Sequence, residues 1–78
     1  MSTVRGSRIA ALGEAALVEG FALAGALAVA AEDPPGARAA WRDLPADVDV
    51  VFLTARAAEA LGSAVDERPR PLTVVMPP

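Results

Sequence analysis

No cysteine, histidine, lysine, tyrosine, asparagine or glutamine occurs anywhere in the sequence. Without cysteine there is no disulfide framework and no thiol chemistry. Without histidine the commonest general base and metal ligand is missing. Without lysine a phosphate-binding loop of the Gly-rich, Lys-Ser/Thr type has no cation. The aromatics are only Phe21, Phe52 and Trp41, so the core has to be built from small residues. All seven cations are arginines, the net charge is −3, and no basic stripe is present. That balance argues against nucleic acid as a partner. Long apolar runs are missing too. The longest uncharged stretch, Gly20 to Ala31, has 12 residues, against the roughly 20 needed to span a bilayer. Arg5, Arg8 and the small residues Ala28 to Ala31 imitate a secretory signal, but Glu14 and Glu19 interrupt the apolar region that such a signal needs. The reading is a cytoplasmic chain without membrane insertion.

What is present is one domain's worth of sequence, 1–78, with a polar start over Met1 to Ser7 expected to be partly disordered. A domain of this size buries only roughly 60% of the surface of its unfolded chain, so a partner that covers more apolar surface would help it. Apolar runs alternate with alanine-rich helical text. Arg8 to Leu12 is a short apolar run that Gly13 ends, which predicts a strand entering a tight turn. Glu14 to Gly25 has helical spacing, with Leu17, Phe21 and Ala24 as the stripe expected to face a sheet. Gly20 is unfavourable inside a helix by about 0.8 to 1 kcal/mol, which predicts a close approach to a neighbouring strand. Gly25 is a natural terminator.

Leu27 to Ala31 predicts a second strand. Asp33 is a helix cap with Pro34 in the first turn, and the helix reaches about Leu44 with Ala37, Ala40, Trp41 and Leu44 on one face. Val48 to Leu53 is β-branched and aromatic, apolar on both faces, and predicts a central parallel strand. Thr54 caps the next helix, whose inward stripe is Ala57, Ala58, Leu61, Ala64 and Val65. Asp66 to Pro71 is a charged loop, and Leu72 to Met76 a fourth strand. The pattern β-α-β-α-β-α-β implies right-handed crossovers and a parallel sheet. The predicted fold class is therefore α/β: a small flavodoxin-like (Rossmann-like) three-layer domain, with a four-stranded parallel sheet in the order 2-1-3-4 and helices on both faces.

Ligands of such folds bind beyond the carboxyl ends of the strands. There the turn after the first strand carries a single glycine, so the dinucleotide fingerprint fails. A phosphoacceptor domain would need clustered acids, an aspartate ending the third strand, and a lysine. Glu14 could supply one acid, but Thr54 stands at the acceptor position. Asp47 and Asp49 flank Val48 at the opposite end and read as a solvated turn. Glu32 and Asp33 read as a helix start, and Trp41 as packing. No catalytic residue, metal ligand or cofactor site is assigned. The tail is a candidate docking edge, with Arg70, Leu72, Val74, Met76 and Pro77 as partner-binding residues.

The residues Gly13-Glu14, then Gly20-Phe21-Ala22-Leu23-Ala24-Gly25, the arginine-bearing helix from Ala37 to Leu44, the strand and helix from Val50 to Leu61, and the strand from Leu72 to Pro77 occur in a familiar order. The chain resembles the F subunit of the V-type and A-type rotary ATPases (ATP synthases) over nearly its whole length. The resemblance implies a non-catalytic rotor component of the central stalk, bound to the coiled-coil D subunit of that stalk and peripheral to the membrane. It implies support of proton or sodium transport, driven by ATP or driving its synthesis. Members of that family usually continue into a further helical segment, which this sequence does not supply. The alternative is a flavodoxin-like signalling or phosphoacceptor-type domain acting as an adaptor.

Overall fold

The computed structural model describes residues 8–68 and 71–77. The expectations placed on Met1 to Ser7 and on Arg70 therefore lie outside the described residues. The elements are β1 (Arg8–Gly13), α1 (Ala15–Leu23), β2 (Leu27–Ala30), α2 (Pro34–Arg42), β3 (Val48–Leu53), α3 (Ala55–Leu61) and β4 (Leu72–Val75), with a 3-10 turn (Gly62–Asp66) after α3. The four strands form one sheet in the order β2-β1-β3-β4, and all three pairings are parallel. This is the predicted flavodoxin-like α/β topology.

Local chemistry accounts for the element boundaries. Asp33 caps α2 by accepting from the Gly36 amide at 2.7 Å, and Pro34 and Pro35 open the helix where missing N–H groups cost little. Thr54 caps α3 by accepting from the Ala57 amide at 3.2 Å. Helix α1 ends at Leu23 with Ala24 as its C-cap, followed by Gly25 at φ +94°, a conformation glycine adopts without strain.

The two faces of the sheet are covered unequally. Ala10, Leu12, Val51 and Leu53 face α2 and α3, where they form the main core with Ala37, Trp41, Ala57 and Leu61. Burying a large aliphatic side chain in such a core contributes about 1.5 to 3 kcal/mol. Trp41 is buried in this cluster, and the Arg68 guanidinium lies 5.3 Å from its ring centroid. A register shift between Arg8 and Ile9 makes Asp49 an extra residue in β3, so that Val48 and Val51 both reach the core. On the opposite face, α1 lies mainly against β2 and β1. Val18 is its buried residue. Phe21 meets Phe52 of β3, ring centroids 5.6 Å apart.

Two expectations about α1 are corrected here. Leu17 and Ala24 are exposed and Phe21 is only half-buried, so the stripe that includes them does not lie under the helix. Val18 does, and the buried direction is rotated from the stripe by roughly a quarter turn. Gly20 makes no close approach: a Cβ there would meet nothing within 4 Å. Gly13, by contrast, does require its small size, because a Cβ there would collide with the Thr54 side chain.

Candidate functional site: the open half of the sheet beside α1

Parallel pairing puts partner residues on the same face. Val50 pairs with Leu72 and Phe52 with Val74, so these four share the α1 side of the sheet. Ile9 pairs with Val50 and joins them. No described helix lies over this half of the face. Leu72 is 64% exposed, Ile9 45% and Val74 44%, while Val50 and Phe52 are half-buried.

Helix α1 forms one wall of the resulting trough. Leu17 precedes Phe21 by one helical turn and lies on the same side of α1. Phe21 touches Phe52, so that side faces β3 and the open half. Leu17 is accordingly 56% exposed above the trough. The stripe of Leu17, Phe21 and Ala24 thus has the periodicity of a buried face but lines an open wall.

Of the residues expected at a docking edge, the structure brings Leu72 and Val74 together on the trough floor. Met76 is half-buried and donates its amide to the Leu53 carbonyl at 2.8 Å, and Pro77 is exposed just beyond. Arg70 lies outside the described residues. The sequence reading missed Ile9, Val50, Phe52 and Leu17. Their signal was the two-residue period of β1 and β3 read against a single covering helix.

A second region, at the carboxyl ends of the strands, is where ligands of this fold class bind. A cleft of about 400 Å³ opens there between the turn after β1 and the starts of α2 and α3. It carries charge of both signs, from Glu14, Glu32, Glu59, Arg38 and Arg56. Its polar groups are largely engaged in holding the fold. Thr54 is buried, and its hydroxyl donates to Glu14 Oε1 at 2.5 Å while accepting from Ala57. Hydrogen bonding to Thr54 is the main influence holding the Glu14 carboxyl below its ordinary value, followed by its own backbone amide and, more weakly, by Arg56. Glu32, just beyond the carboxyl end of β2, accepts from the Ala15 amide at 2.8 Å and so caps α1. The expectation that Glu32 and Asp33 start a helix is met for Asp33 at α2, whereas Glu32 serves α1. Thr54, at the acceptor position of a phosphoacceptor domain, has no free hydroxyl.

At the amino end of the sheet Asp47 pairs with Arg8 at 3.1 Å, both side chains about half exposed. Such a pair contributes roughly 0 to 1 kcal/mol. Among the described residues no three carboxylates are grouped to hold a metal ion, and no helix is long and apolar enough to cross a membrane. Comparisons with protein-family models, with curated proteins and with solved structures found no match to this chain.

Proposed function

We propose that the protein is a non-catalytic binding module that takes its partner on the apolar trough between α1 and β4. One observation carries this reading. Leu72 and Val74 are exposed and continuous with Phe52 and Phe21 across a half-sheet that no described helix covers. Contiguous apolar surface of that kind marks an interaction site rather than an ordinary solvent face.

The resemblance to the F subunit of the V-type and A-type rotary ATPases supplies the specific form of the proposal. It rests on Gly13-Glu14, on Gly20 to Gly25 and on the order of the elements. In that form the chain is a cytoplasmic component of the central stalk, peripheral to the membrane, and the partner is the coiled-coil D subunit. An apolar trough flanked by a helix suits the apolar seam of such a partner. The work is mechanical: the module would turn with the coiled coil and support ion transport without making or breaking bonds itself.

Co-purification of the chain with a coiled-coil stalk protein tests the proposal. The expected result is a stoichiometric complex that L72D and V74D weaken by more than about tenfold, since each buries an unpaired charge. A chain that ignores the stalk protein would remove the rotary-ATPase form. A complex indifferent to both substitutions would remove the trough as the docking surface.

A further inference from the structure

Among the described residues nothing covers the outer side of α1 or the open half-sheet, and their shapes answer one another. The helix reads AALVEGFAL and carries one charge, Glu19. Helices that are apolar all round are ordinarily buried all round. Here only Val18 is buried, while Ala16, Gly20 and Leu23 face outward and Leu23 is 92% exposed. The open half-sheet spans two strands, roughly 10 Å at about 4.8 Å per strand. That is the diameter of one helix with its side chains, about 10 to 12 Å. The ridge and the trough lie side by side on one face.

We propose that the free chain forms a two-fold dimer in which α1 of each copy fills the trough over β3 and β4 of the other. The proposal rests on reading this face as a docking surface, and it names a second copy as the occupant in the absence of another partner. A two-fold axis running along the strands, between ridge and trough, places each α1 over the open half of the opposite sheet. Such an isologous contact closes on itself and leaves no unpaired surface to propagate. The two helices then run parallel, meeting along Leu17, Phe21 and Ala24. Steps of four and then three residues are the spacing of a parallel two-helix seam. The outward residues Ala16, Gly20 and Leu23 pack on the opposite floor of Leu72, Val74 and Phe52.

Charge and area agree with this arrangement. Glu19 and Leu17 flank the buried Val18, about 100° to either side. Leu17 is on the trough side, so Glu19 falls at the outer rim, where it stays solvated. The shared face is about 19 Å wide and about 20 Å long from strand spacing and rise. Its projected area is about 400 Å², about half of the roughly 800 Å² per copy of a standard interface, and the relief of Leu17, Leu23 and Leu72, each more than half exposed, adds to it.

Sedimentation of the full chain through a micromolar concentration series is the test, together with single-cysteine variants in a sequence that has no cysteine of its own. The expected mass is twice that of one chain. L23E, at a side chain with almost no intramolecular contact, should weaken the dimer by more than about tenfold and leave the circular dichroism of the monomer unchanged. Oxidised L17C should cross-link to its own copy across the axis. V75C, similarly exposed but on the opposite face of the sheet, should not. A monomer at every concentration, a dimer untouched by L23E, or cross-linking through V75C in preference to L17C would each overturn the proposal. A monomer that still binds a stalk coiled coil defeats the dimer and leaves the proposed function standing. A dimer that binds no coiled coil does the reverse.

Discussion

The Thr54 hydroxyl donates to Glu14 Oε1 at 2.5 Å and accepts from the Ala57 amide at 3.2 Å, so one buried side chain joins the ends of β1 and β3 to the start of α3. The Thr54 amide adds a third tie by donating to the Leu12 carbonyl at 3.1 Å. Gly13 leaves the space that the Thr54 side chain occupies. In this fold class such a position lies where ligands bind; here its hydroxyl makes two hydrogen bonds that clasp the fold.

Replacing Thr54 with valine keeps the shape and deletes both side-chain hydrogen bonds. The Ala57 amide loses its cap and Glu14 its donor. We expect T54V to destabilise the domain by about 1 to 2 kcal/mol. Urea unfolding measures this, with the slope unchanged and the midpoint lowered.

The same clasp gives the protein an acid limb. Glu14 has its folded-state value held below the ordinary 4.5, chiefly by Thr54. Between the folded and unfolded values the unfolded chain binds the extra proton, so stability rises with pH. The contribution is complete above the ordinary glutamate range and disappears as pH falls through the depressed value. Unfolding midpoints measured below about pH 5 should fall more steeply for the native chain than for E14Q, and T54V should flatten the same limb. Parallel acid limbs in all three proteins would show that Glu14 is not the group responsible.

Gly20 sits inside α1 with open space where a side chain would begin. G20A should therefore stabilise the dilute monomer by about 0.5 to 1 kcal/mol, the difference in helix preference between the two residues. Thermal unfolding at low protein concentration reads the shift. A fall in midpoint would mean that the glycine is needed for a contact within the chain after all.

The contrast between Gly20 and Gly13 illustrates what a single chain of letters conveys. By sequence Gly13 reads as a turn glycine and Gly20 as the one that needs a close approach. Three-dimensional neighbours reverse this: Thr54 is 41 positions from Gly13 and touches the place where its side chain would be, whereas nothing approaches Gly20. Likewise Glu32 belongs by sequence to the start of α2, yet it caps α1, because β2 lies beside β1 and brings the two turns together.

The elements and their order were written in the chain itself. Apolar strand runs, the caps Asp33 and Thr54 and the terminator Gly25 are local devices, and local devices act over a few residues of chain. Alternation of strand with helix then implied a parallel sheet, and the 2-1-3-4 order, which fits the element lengths, is the one the structure has. Which faces are covered was settled in three dimensions. Periodicity reports that Leu17, Phe21 and Ala24 share one side of α1, but not whether that side meets a sheet or an empty half-sheet. One helix spans two strands and this face has four, so Phe21 reaches Phe52 while Leu17, Leu72 and Val74 remain open.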